Sequence, residues 1–136
     1  MAVIYTIPFS LVTKFGLSRQ IPALLSAYRQ TSFTMQDGIS EWKGDGKLCI
    51  AEYDSKLAGI LRLDSKRNYW ALSSFVVSSE FRGLGIGQNM LGSLNLDKPV
   101  YLKVKQDNPA INLYLRNNYK TLETLDGRHI MKKWNY

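Results

Sequence analysis

The sequence predicts an α+β fold, a mostly antiparallel sheet flanked by helices, and three observations carry that expectation. Strand-like runs crowd together between Lys47 and Val77, separated only by short polar breaks. After Val77 the pattern changes to alternating helical and strand-like segments. The last two strand-like runs, 119 to 125 and 128 to 134, flank Asp126-Gly127, a pair suited to a tight hairpin. A strand, helices, a three-strand run, then strand, helix, strand, helix and strand make a mixed α+β plan.

Taken in order, residues 2 to 7 form a first strand, closed by Pro8. A helical region follows, clearest at Ile21, Leu24, Leu25 and Tyr28, whose spacing puts them on one face, with Pro22 tolerated in the first turn. Residues 36 to 46 are rich in Gly and Asp and read as an irregular connection anchored by Trp42. Residues 47 to 53 and 56 to 63 form a hairpin about Asp54-Ser55. A polar loop, 64 to 68, leads into a third strand at 69 to 77, rich in aromatic and β-branched residues. Residues 78 to 87 are turn-rich, and Ile86, Met90, Leu91 and Leu94 then supply a helical stripe. Strand returns at 99 to 104. Asn108 is placed to cap the next helix, with Pro109 at its first position and Ile111, Tyr114 and Leu115 as its inner face.

A chain of 136 residues fits one domain, 1 to 136, and so one site. The longest uncharged stretches, 1 to 13, 68 to 79 and 83 to 96, fall short of the roughly 20 apolar residues that span a bilayer. With no basic residue before Lys14 there is no charged lead-in of a secretory or transit signal, and a cytoplasmic location with no membrane partner is expected. Cys49 is the single cysteine, set in an apolar strand and read as a core thiol; there is no Cys cluster for a metal. The net charge of +7 comes from the two ends of the chain, with Lys103, Lys105, Arg116, Lys120, Arg128, Lys132 and Lys133 dominating after Lys98. Such a surface attracts phosphates, on a nucleotide cofactor or on nucleic acid, and charge alone does not separate the two.

The chemistry concentrates at Arg82-Gly83-Leu84-Gly85-Ile86-Gly87, between a strand and a helix. Alternating glycines allow backbone conformations other residues avoid and let a ligand approach the main chain. Successive N–H groups at a helix start can hold a doubly anionic group such as a pyrophosphate. Arg82 adds a permanent cation, and Gln88 could donate a further hydrogen bond. A dinucleotide fingerprint fails in both registers, because Gln88 and Met90 stand where glycine or alanine is needed. A Walker loop fails as well, because Gln88 and Asn89 follow Gly87.

The run from Val77 to Gly87 resembles the strand-turn-helix motif of the GNAT superfamily of N-acetyltransferases, Arg/Gln-x-x-Gly-x-Gly/Ala, matched at Arg82, Gly85 and Gly87. The run Cys49-Ile-Ala-Glu-Tyr-Asp-Ser-Lys-Leu-Ala-Gly-Ile-Leu is similar to that family's central hairpin, and Asn108, Ala110, Tyr114, Asn118 and Tyr119 stand at the spacing of its second cofactor motif. The resemblance covers residues 47 to 134. It implies a sheet of about six to seven strands with a splayed strand pair holding CoA. It also implies acetyl-CoA, or another acyl-CoA, as co-substrate for direct transfer to a primary amine on a small molecule or protein. The pyrophosphate would lie on Arg82, Gly83, Leu84, Gly85, Ile86, Gly87 and Gln88. Main-chain groups of Val77 and Phe75 would bind the pantetheine arm like an added strand, and an N–H at that level can stabilise the oxyanion.

By the same resemblance Tyr114 is the candidate general acid for the departing thiolate, although its place in an apolar stripe equally suits a core role. Asn108 is either a cofactor contact or only a cap. At Asn118 the family usually has glycine; asparagine is the next best residue for a left-handed helix end. Glu52, Glu80, Asp107 and His129 all have ordinary structural readings, so no general base is assigned. Ser73 and Ser74 could line a substrate pocket. The alternatives are a CoA-binding module without turnover and a basic nucleic-acid-binding domain, the latter without any recognised binding motif. A homodimer is compatible with the sequence.

Overall fold

The computed structural model describes residues 2 to 12 and 45 to 134. Strands β1 (Ala2–Pro8), β2 (Gly46–Tyr53), β3 (Lys56–Ser65), β4 (Trp70–Val77), β5 (Val100–Lys105), β6 (Lys120–Leu125) and β7 (Arg128–Lys133) are joined by helices α1 (Ile86–Gly92) and α2 (Ala110–Arg116). They form one seven-stranded sheet in the order β1-β2-β3-β4-β5-β7-β6. Every neighbouring pair is antiparallel except β4 and β5, which run parallel because α1 crosses between them.

Both hairpin turns follow from backbone handedness. Asp54 and Ser55 have φ of 49° and 66°, and Asp126 and Gly127 have 52° and 75°, the positive pairs whose twist matches that of the flanking strands. The β2 run Leu48-Cys49-Ile50-Ala51 is buried at every position rather than at alternate ones. Alternate residues face opposite sides, so both sides of the sheet are covered here. On one face Cys49, Ala51, Leu61, Leu63, Leu72, Leu102, Val104 and Met131 pack with Ile86, Met90 and Leu91 of α1 and Tyr114 of α2. On the other, Ile7, Leu48, Ile50, Ile60 and Val76 pack with Phe9 and Val12. We call these the helix face and the opposite face.

The predicted elements stand, with local corrections. The helix expected around Ile21 to Tyr28 and the connection at Trp42 lie outside the described residues. The polar loop after β3 begins later than expected, because Asp64 is held in the strand by Arg62, at 2.9 and 3.2 Å, and by the Ser73 hydroxyl at 2.7 Å. Leu94 falls beyond α1, which stops where the Ser93 hydroxyl donates to the Met90 carbonyl at 2.8 Å. Leu115 is half exposed, and Leu113 takes its place beside Ile111 against the core. Among the described residues no helix is long and apolar enough to cross a membrane.

Candidate active site

The pairing of β4 with β5 ends almost as soon as it starts: Trp70 stands opposite Val100 and Ala71 opposite Tyr101, and no further pair forms. The cause sits in β4. Arg62 faces Ser74 while Leu63 faces Leu72, so Ser73 is an extra residue in the strand. A bulge of this kind bends and twists its strand, and here it turns β4 away from β5. Beyond the bulge the Ser78 N–H donates back to the Ala58 carbonyl of β3 at 2.7 Å. Strand alternation then turns the main-chain groups of Phe75 and Val77 the other way, toward the gap.

The result is a cleft of about 1100 Å³ between the two strands, lined along β4 from Leu72 to Val77 and along β5 from Leu102 to Lys105. It is a gap through the sheet rather than a groove on one side. Phe75 and Val77 face the helices, since both border the position a Cβ on Gly87 would take, whereas Val76 belongs to the opposite face. A free strand edge inside a sheet is a template for an extended chain carrying amides.

At the mouth of this gap the three glycines do different work. Gly83 and Gly85 have φ of 82° and 75°, with open space where a Cβ would stand. Gly87 has ordinary φ, but a Cβ there would come within 3.1 Å of Leu113 and 3.3 Å of Phe75. So two glycines shape the turn and the third lets α1 approach β4 and α2. The first helical bond runs from the Asn89 N–H to the Gly85 carbonyl. The N–H groups from Gly83 to Gln88 therefore precede the ladder and have no protein acceptor among the described residues. Leu84 is half exposed and Ile86 is core, so Ile86 can offer a ligand only its main chain. Arg82 folds back over the end of β4 and donates from Nε to the Val77 carbonyl at 3.3 Å.

The expected side-chain donor at Gln88 is engaged elsewhere. Its amide exchanges two hydrogen bonds with that of Asn117, at 3.1 and 3.0 Å, and Asn117 donates also to the Leu113 carbonyl at 2.8 Å. Asn117 is 6 % exposed and Gln88 lies exposed beside it, and their amide pair ties α1 to the end of α2. Sequence reasoning passed over Asn117; the available signal was a second amide-bearing residue beside Asn118 at a helix end. Leaving a buried polar group unsatisfied costs about 1–3 kcal/mol. Gln88→Ala, which strands the buried Asn117 amide, and Asn117→Ala, which takes a donor from the Leu113 carbonyl, should each lower stability by roughly that amount, and the double variant by about 1 kcal/mol less than their sum. Urea unfolding of the four proteins reads the coupling.

Helix α2 begins and ends as its sequence dictates. The Asn108 side-chain oxygen accepts from the Ala110 N–H at 2.9 Å, which establishes the cap while leaving the residue at the cleft wall. At the other end Asn118 has φ of 69°, with Asn118 N–H to Leu115 carbonyl and Tyr119 N–H to Tyr114 carbonyl at 3.2 and 3.1 Å, a Schellman closure. Between them Tyr114, 6 % exposed, stacks with Phe75 and Tyr119 at ring distances of 6.1 and 5.6 Å and lines the cleft. Its hydroxyl has no hydrogen-bond partner among the described residues. Burial alone pushes its pKa well above the usual tyrosine value, so the group stays protonated at neutral pH.

Other candidates fall away from the gap. Glu52 accepts from the Tyr5 hydroxyl at 2.6 Å, Glu80 pairs with Lys56 at 3.6 Å, and His129 Nδ1 meets the Thr124 hydroxyl at 2.7 Å. Asp107 does line the cleft, among the cations Arg82, Lys103, Lys105, Arg116 and Arg128. Cys49 is buried and its thiol pKa is raised by burial, which keeps it a neutral packing group. Among the described residues no group of His, Cys, Asp and Glu could hold a metal ion.

Comparison with known proteins agrees with this geometry. The family model described as acetyltransferase (GNAT) domain matches residues 44–121, more than half of the chain. No curated protein matches. Among solved structures, the ribosomal-protein-S18-alanine N-acetyltransferase from Escherichia coli superposes with a TM-score of 0.77 at 17% identity, over 99% of this chain and 94% of that one. An acyl-CoA N-acyltransferase from Pseudomonas aeruginosa gives 0.72 at 21% identity, over 98% and 99%. The PaiA N-acetyltransferase from Thermoplasma acidophilum, in complex with coenzyme A, gives 0.63 at 16% identity over 98% and 99%. At these identities the structures establish a shared fold, and the family match establishes membership: the chain belongs to the GNAT acetyltransferase family and is an acyl-CoA-dependent N-acyltransferase.

Proposed function

We propose that the chain, acting as one domain over 1 to 136, binds acetyl-CoA in the gap between β4 and β5 and passes the acetyl group directly to a primary amine. The observation that carries this reading is the free inner edge of β4. It ends on the glycine turn, with the Tyr114 hydroxyl, which has no partner among the described residues, in the same cleft. The pyrophosphate takes the N–H groups from Gly83 to Gln88, with Arg82 beside them. Gly83, Leu84, Gly85, Ile86, Gly87 and Gln88 act through the main chain, since the Gln88 side chain is held by Asn117. The pantetheine amides pair with Phe75 and Val77, displacing Arg82 from the Val77 carbonyl. Asn108 sets the position of α2 and hence of Tyr114.

In the transfer step the amine nitrogen attacks the thioester carbonyl carbon, and a main-chain N–H at the free edge holds the developing oxyanion. The C–S bond then breaks, Tyr114 gives its proton to the departing sulfur, and the amine loses a proton to water in the open cleft. Tyrosine is reprotonated from solvent. The co-substrate and the lone buried thiol suit a cytoplasmic setting. The free edge of β6, with Leu122 and Leu125 half exposed, is the surface on which a homodimer would form.

Calorimetric titration with acetyl-CoA should show one site per chain, and a primary amine added to the complex should release free thiol. Absence of binding would sink the reading.

A further inference from the structure

Resting on that reading, we infer that the acceptor is an acidic peptide, whose carboxylates dock on the opposite face of β5 and β7 while its amino terminus enters the gap. Register fixes which residues stand there. Leu102 and Val104 of β5 belong to the helix face, so Lys103 and Lys105 project from the other side. Residues directly opposite in a ladder share a face, which places Ile130 with Lys103 and Arg128 with Lys105. All three cations are exposed and line the same cleft as Ser74 and Tyr114.

The glycine turn feeds α1 on the helix face, where Gly87 touches Phe75 and Val77. Lys103, Lys105 and Arg128 project from the other face, while lining one through-sheet cleft with Arg82 and Gly83. None of the three makes an ion pair among the described residues. The acids nearest in the fold are Asp107 and Asp126, which line a shallow pocket with Lys105 and Arg128 without forming an ion pair with them, and Glu123, which stands across β7 opposite Ile130. Lys105 and Arg128 directly opposite one another are an unfavourable cross-strand pair. An incoming anion removes that repulsion, so the free protein is arranged to gain on binding one.

A single carboxylate does not span the cluster. Same-face residues along β5 are about 7 Å apart and the neighbouring strand about 5 Å away, so Lys103, Lys105 and Arg128 suit several anions carried on one extended chain. Carboxylates at alternate positions of an extended peptide have the same spacing as Lys103 and Lys105. Nucleic acid would satisfy the charge but not the reaction, because the exocyclic amines of its bases share their lone pair with the ring and are poor nucleophiles.

The test compares peptides of one length that begin with alanine followed by runs of glutamate, glutamine or lysine, together with free glutamate and an RNA oligonucleotide as competitor. The full chain should acetylate the glutamate peptide with kcat/KM roughly tenfold or more above the lysine peptide, an advantage that shrinks with added salt. The double charge reversal K105E/R128E should invert the order, whereas K105R/R128K should keep it. Equal rates, a preference for the lysine peptide, free glutamate used as well as the acidic peptide, RNA inhibiting more strongly than the glutamate peptide, or an order that survives charge reversal would each overturn the inference. Calorimetry with acetyl-CoA separates the two levels. If acetyl-CoA fails to bind, the proposed function falls; if it binds and the peptides are not discriminated, only the acceptor assignment does.

Discussion

Gly85→Glu should lose at least about 100-fold in acetyl-CoA affinity, some 2.7 kcal/mol, while remaining folded. The side chain would project from the turn into open space, since no atom stands within 4 Å of the position its Cβ would take. Its carboxylate would share the surface that receives the pyrophosphate, and like charges about 4 Å apart repel by roughly 4 kcal/mol at the dielectric of a protein surface. A second cost is backbone strain. Gly85 has φ of 75°, where a residue with a Cβ loses about 1–2 kcal/mol, so a melting temperature lower by several degrees is expected. Gly85→Asn separates the two effects. Asparagine tolerates the left-handed region and carries no charge, so that variant should keep affinity within a few-fold of wild type. Equal binding by the glutamate variant would remove the pyrophosphate from the turn.

The same residues show why some of the site was legible in the sequence and some was not. Turns were readable because they depend on short-range sterics: Asp54, Asp126, Gly127 and Asn118 adopt the positive φ that their residue types tolerate best, and Ser55 follows Asp54 into it as the second residue of a two-residue hairpin. The glycine turn was readable for the same reason, and the failure of rival spacings narrowed it. The gap was expected only through resemblance to a family, because a bulge at Ser73 is a matter of pairing between distant strands. Nothing local marks Ser73 as the extra residue. Side-chain partners were least legible. Gln88 sits where a ligand donor would, yet its amide meets that of Asn117, 29 residues away in sequence. Leu115 continues the apolar stripe of α2 by identity, but the short helix turns it outward and uses Leu113 instead. The cationic face of β5 and β7 needed the ladder register as well as the charges, since composition located the lysines only along the chain.

Tyr114→Phe should lower kcat by about 100-fold with little change in acetyl-CoA affinity, and it should do so while making the protein no less stable. The two halves of this expectation come from one observation, the hydroxyl that has no partner among the described residues although the ring is buried. A buried, unpaired hydroxyl costs the fold about 1–3 kcal/mol relative to an apolar isostere. Phenylalanine removes that cost and keeps the ring contacts with Phe75 and Tyr119, so stability should hold or rise. A tyrosine that served packing alone would give the same stability and an unchanged rate. A tyrosine that protonates sulfur gives an enzyme that binds, stays folded and turns over slowly. The deficit should shrink for a thioester whose leaving thiol is more acidic, because a better leaving group needs less help from a proton. Single-turnover rates with acetyl-CoA and with such an activated acetyl thioester, set beside thermal unfolding of both proteins, distinguish the two cases. An unaltered kcat in the phenylalanine variant would return Tyr114 to the core and leave sulfur to take its proton from water.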